Sequence, residues 1–137
     1  MNISWLKFLF LFLLISYTHA ETNLIGIWQG VYENQKVKMP QDRFKECLIK
    51  NRTLTISTTN IVDEIKSFTC DLGNGKYSRF ENWQKRSEID SIIEKENYYL
   101  VHYSHCWFNC YEKYKKKDQS SIALEYKNDI SIFTKIK

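Results

Sequence analysis

From Leu24 onward the chain is a succession of short stretches in which apolar residues recur at strand spacing, each ended by turn-forming residues. Side chains of a strand point alternately to its two faces, so such stretches read as half-buried strands. Thr53-Leu54-Thr55-Ile56-Ser57 is the clearest case, with Leu54 and Ile56 on one face and hydroxyls on the other. Leu24 to Tyr32 is apolar on both faces and predicts a central first strand, its two glycines marking a bend or a close backbone approach. Residues 61–70 and 77–83 flank Asp71-Leu72-Gly73-Asn74-Gly75, and Asn-Gly is a strong hairpin signal because both residues accept the positive φ of the tight turn. Strands are also expected over 89–94, 98–104, 122–126 and 130–136, the last two joined through Lys127-Asn128-Asp129.

Tight turns oblige neighbours to run antiparallel. A meander of seven to nine short strands removes its exposed edges by closing into a small up-and-down barrel or folding into a sandwich, so the expected fold class is all-β. Pro40 to Lys50 is the exception: Phe44, Cys47 and Leu48 fall at helical spacing after a proline suited to a first turn, and the stretch fits a short helix as well as a strand.

Lys7 followed by the unbroken apolar run Phe8 to Ile15 and the exit Ser16 to Ala20 has the order of a secretory signal peptide. Thr18 and Ala20 are small residues at the positions a cleavage before Glu21 requires. The apolar run is far shorter than the roughly 20 residues of a membrane span. Residues 1–20 are therefore read as a signal peptide and 21–137 as one domain, secreted or periplasmic and not membrane-embedded. One proline, four glycines and the absence of any composition break leave no linker and no second core. Removing Lys7 takes the formal charge from +4 to +3. That excess is too mild to dictate a partner, and together with export it argues against nucleic acid. The chain is expected to be a monomer.

Four cysteines in an exported chain of this size read as two disulfides. In one extended strand Cys106 and Cys110 would lie about 13 Å apart, so they can bond only if the chain turns between them. Asn109 sits where a hairpin loop takes a left-handed residue, which predicts a Cys106–Cys110 staple and leaves Cys47 with Cys70. A helical turn over 106–110 would also permit the bond.

Gly26-Ile27-Trp28, at the start of the first strand, resembles the Gly-x-Trp motif of lipocalins and their calycin relatives, and Glu96 to Ser104 resembles the Tyr-rich strand of their second motif. The resemblance implies an up-and-down barrel with Trp28 closing one end and an internal cavity for an apolar ligand. The acidic residue of the second motif is displaced, and no arginine follows Arg86 to stack on the tryptophan. Lys135 or Lys137 would replace it without a planar guanidinium.

His102, His105, Cys106 and Cys110 are residue types that bind zinc or copper. On a strand the two histidines face opposite sides, and oxidised cysteines do not ligate, so no metal and no cofactor are expected. Carboxylates at Asp63, Glu64, Glu88, Asp90, Glu94 and Glu96 could serve a glycosidase only if two of them faced each other across a cleft. No nucleophile elbow, phosphate loop or zinc-protease helix is present, and the chain reads as non-enzymatic. Tyr111 to Lys117 reads as a solvated edge strand running into a loop, and Asn51-Arg52-Thr53 is a glycosylation sequon.

The expected role is a binding module, with Trp28, Tyr99 and Tyr103 against a small apolar ligand in a barrel cavity. The alternative is an inhibitor or immunity-type protein that blocks another exported protein through the stapled 106–110 loop, with Trp107 and Phe108 touching the partner.

Overall fold

A computed structural model describes residues 22–33 and 39–137. The expected signal peptide lies outside the described residues. Among the described residues, ten strands and one helix follow in the order β1 (Gly26–Val31), α1 (Pro40–Lys50), β2 (Arg52–Ile56), β3 (Asn60–Ile65), β4 (Phe68–Gly73), β5 (Lys76–Phe80), β6 (Trp83–Glu94), β7 (Tyr98–Tyr103), β8 (Tyr111–Lys116), β9 (Ser121–Tyr126) and β10 (Asp129–Lys135). Eight strands form a closed antiparallel barrel, β1-β10-β9-β8-β7-β6-β3-β2, while β4 and β5 pair only with each other. The fold is all-β, as the alternation predicts, and the closing seam is the β1–β10 pairing with Trp28 opposite Lys135.

Antiparallel order sorts the connections. The turns at 57–59, 95–97 and 117–120 lie at one end, the base. The β1–β2 link with α1, the β3–β6 link with the β4–β5 hairpin, the 104–110 loop and the 127–128 turn lie at the other, the mouth. Every large insertion therefore surrounds the mouth.

The base is filled. Leu24, Trp28, Ile56, Ile61, Tyr99, Val101, Ile122 and Phe133 are among the buried core. The Trp28 indole donates to the Leu24 carbonyl at 2.9 Å. Lys135 is the cation over that ring, its Nζ 5.7 Å from the centroid, and it also donates to the Asn23 carbonyl at 2.8 Å. Lys135 thus sets a point charge on the tryptophan face.

The short segment 40–50 is helical. Pro40 opens it, the Asp42 carboxylate accepts from the Met39 amide at 3.0 Å, and the Asn51 side chain closes it by donating to the Cys47 carbonyl at 2.8 Å. No residue of α1 is buried. It is held by the Cys47–Cys70 disulfide to β4, by a ring contact of Phe44 on Phe68, which in turn stacks on Phe80 at 5.3 Å, by the Gln29 side chain donating to the Lys50 carbonyl at 2.7 Å and by the Lys45–Asp129 ion pair.

Four segments differ from the sequence expectation, the first being 77–83, where β5 ends at Phe80 and Trp83 already belongs to β6. The predicted 61–70 strand is two, β3 and β4, separated at Lys66-Ser67. β6 begins at Trp83 rather than Ile89 and runs twelve residues, with a bulge between Ile89 and Ser91. Its first half, Gln84 to Glu88, carries no apolar alternation because its inward residues face the open mouth instead of the core. β8 is no edge strand: it bonds β7 on one side and β9 on the other.

Candidate functional site

Above the apolar floor the barrel opens into a cup of about 970 Å³. Leu54, Ile61, Tyr114 and Leu124 supply its apolar lower wall, and Arg52, Asp63, Lys85, Ser87, Tyr103 and Glu112 form a polar belt above them. The strand register explains the belt. Asp63 is opposite Leu54, and Lys85 is opposite Asp63, so these side chains share the face that Leu54 buries. Glu112 is opposite the buried Val101 and likewise turns inward.

Arg52 forks onto Asp63, with Nε to Oδ1 at 2.9 Å and Nη2 to Oδ2 at 2.7 Å, and its guanidinium lies 5.2 Å from the centre of the Phe133 ring. On the facing wall the Tyr103 hydroxyl donates to Glu112 Oε1 at 2.8 Å. Its one proton is committed there, so the Tyr114 hydroxyl donates to the Tyr103 oxygen across 3.0 Å. Burial is the main cause that pushes both phenols above their ordinary range, Tyr114 further than Tyr103. Both stay neutral at physiological pH.

Trp28 and Tyr99 do not line the cup. Both belong to the buried core, where Lys116 lies over the Tyr99 ring at 4.7 Å. Burial, with Glu94 nearby, pushes the Tyr99 phenol up to about 12. Of the three residues expected to meet a ligand, only Tyr103 reaches the cavity.

The rim includes the 104–110 loop. Cys106 is bonded to Cys110, and Asn109 takes a left-handed φ of 56°, as the spacing predicts; His105 does the same at 55°. The loop is wider than a three-residue hairpin, since β7 ends at Tyr103 and β8 begins at Tyr111, with the Tyr103 amide donating to the Cys110 carbonyl at 2.8 Å. Trp107 and Phe108 project from it almost fully into solvent, at 101% and 89% exposure.

The histidines are held apart. His102 meets Asp90 at 3.3 Å and stacks on Tyr111, whereas His105 meets Glu88 at 2.9 Å. Among the described residues no group of three or more His, Cys, Asp and Glu is placed to hold a metal ion. The lysines of β8 and the turn after it are all engaged: Lys113 over the Tyr98 ring, Lys115 with Glu125, Lys116 with Glu94 and Lys117 with Glu33. No helix among the described residues is long and apolar enough to cross a membrane.

Sequence reasoning missed Arg52, Lys85, Glu112 and Tyr114, and met Asp63 only as one carboxylate among many. One signal was present. Ile61, Asp63 and Ile65 share parity, which places a carboxylate on the inward face of a strand.

Comparison with protein-family models, curated proteins and solved structures finds no match to this chain.

Proposed function

We propose that this chain is an exported, lipocalin-like binding barrel that holds a small amphipathic molecule in its mouth and performs no chemistry on it. The cup carries the reading. Its volume is that of a small-molecule site, and its apolar lower wall stands beneath a lining that is largely charged and polar, a more polar composition than most ligand pockets have. The belt alters the expectation of a purely apolar guest. A ligand seated over Arg52, Asp63, Tyr103 and Glu112 without polar atoms would strip water from these groups and return nothing. The two disulfides suit an oxidising exported setting.

The test is displacement of a fluorescent amphiphile from the purified mature protein, repeated with Leu124→Trp, which fills the lower wall. The expected result is saturable binding that weakens at least about tenfold in the variant. Binding unchanged by Leu124→Trp would place the amphiphile elsewhere and overturn the reading.

A second reading rests on Trp107 and Phe108, which stand nearly fully exposed on a disulfide-closed loop. Aromatics presented on a pre-ordered loop are the composition of an interface anchor. An inhibitor of another exported protein would use them so, and Trp107→Ala with Phe108→Ala would abolish its capture while leaving the cup's ligand affinity unchanged.

A further inference from the structure

The cup's charges are divided between its walls. Five carboxylates line it, and four of them have a basic partner: Asp63 has Arg52, Glu88 has His105, Glu125 has Lys115 and Asp129 has Lys45. Glu112 is the fifth. Among the described residues it forms no ion pair, and the hydrogen bond it receives comes from the neutral Tyr103 hydroxyl. The β8 wall therefore carries an uncompensated negative charge next to two phenol rings.

The opposite imbalance stands on the wall of β2, β3 and β6. Arg52, Lys85 and Arg86 line it with two anions, Asp63 and Glu88, and Glu88 is paired with His105; Arg52 reaches Asp63 through its fork and Lys85 is the register partner of Asp63. Both oxygens of Asp63 are already taken by the guanidinium, and Lys85 forms no ion pair among the described residues. Only β7 separates β6 from β8 in the barrel. Their backbones are thus about 10 Å apart, and inward side chains from the two strands converge across the cup.

Resting on the reading of the cup as a ligand site, we propose that it is built for a zwitterionic headgroup on an apolar body, the anionic group set against Lys85 and Arg52 and the cationic nitrogen against Glu112 and the Tyr103 ring. A purely anionic guest leaves Glu112 without a counter-charge and brings a like charge towards it. A purely cationic guest does the same to Lys85. A head with both signs satisfies each wall, and the nitrogen gains the face of an aromatic ring. Below it, Leu54, Ile61 and Leu124 accept the apolar part.

Calorimetric titration of the mature protein with four probes of one chain length tests this, each kept below its micelle-forming concentration. The probes are dodecylphosphocholine (zwitterion), dodecyltrimethylammonium (cation), dodecyl phosphate (anion) and dodecyl maltoside (neutral). The zwitterion is expected to bind about tenfold tighter than each of the others. Glu112→Gln should lower its affinity to that of the anion, and Lys85→Gln to that of the cation. Both side chains are solvent-exposed, so an unchanged melting temperature accompanies each loss. A single-sign or neutral probe binding as tightly as the zwitterion would overturn the proposal while leaving the cup as a ligand site. An unmoved ranking in both variants would do the same. Failure of all four probes to bind would remove the ligand reading itself.

Discussion

Arg52 and Asp63 grip each other diagonally. Arg52 is in register with Ile65 and Asp63 with Leu54, yet the two side chains meet in a bidentate fork inside the barrel wall. Side-chain exposures of 27% and 18% leave the pair partly shielded, so deleting one partner strands the other in a half-dry setting. Asp63→Ala is expected to cost about 1–3 kcal/mol in urea unfolding. Arg52→Ala should cost a similar amount and also loses the Phe133 ring contact. The double variant should be less damaging than the two single losses added together, by about 1 kcal/mol. Strict additivity would show that the fork contributes nothing.

The two disulfides should differ in weight. Cys47–Cys70 spans 23 positions and Cys106–Cys110 spans 4. Loop-closure entropy then favours the longer one by about 1.4 kcal/mol. Replacing Cys47 and Cys70 with serine should lower the melting temperature more than replacing Cys106 and Cys110, and should release α1, which has no buried residue of its own. Equal shifts would mean that the short staple holds more than its own loop.

Gly30 leaves no room for a side chain. A Cβ there would lie 2.2 Å from the Ile49 carbonyl oxygen, a backbone atom at the end of α1. Gly30→Ala is expected to destabilise by about 3 kcal/mol, since the helix must lift from β1. Gly75→Ala meets no neighbour and suffers only from its φ of 73°, a cost of about 1–2 kcal/mol. Chemical denaturation of both variants checks the order, and a milder effect at Gly30 would contradict this packing.

Alkali should unfold the barrel through its phenols. Tyr99, Tyr103 and Tyr114 all hold their protons more tightly when folded, Tyr99 up to about 12 against an ordinary 10.0. The unfolded chain releases these protons near pH 10, and the folded chain does so only above it. Unfolding therefore releases protons in this window, and stability, level below about pH 10, falls as pH rises beyond it. Tyr114→Phe should flatten that fall, measured as the slope of unfolding free energy against pH. A slope identical to that of the parent would refute the assignment.

The parts of the fold readable in sequence were those set by neighbours along the chain. Asn74 and Gly75 both adopt positive φ in the turn they mark, and Asn109 does so beside the staple it helps to close. The alternation of Thr53 to Ser57 places Leu54 and Ile56 inward as expected. What failed depended on cross-strand register. The first half of β6 lost its alternation because Lys85 and Ser87 line a wet cup rather than a dry core. Arg52 gave no sign of meeting Asp63, because that contact follows from the pairing of β2 with β3 and from nothing local. Trp28 and Tyr99 carry the aromatic signature of a pocket, yet their height in the barrel places them below its floor.

The seam between β1 and β10 joins strands from opposite ends of the described sequence. Until it zips, no cylinder exists, and opening it bares two complementary edges on the same molecule at once. A neighbouring copy with its own seam open offers the same two edges, so β10 of each copy, still bonded to its own β9, could pair with β1 of the other and rebuild every backbone pairing across two molecules.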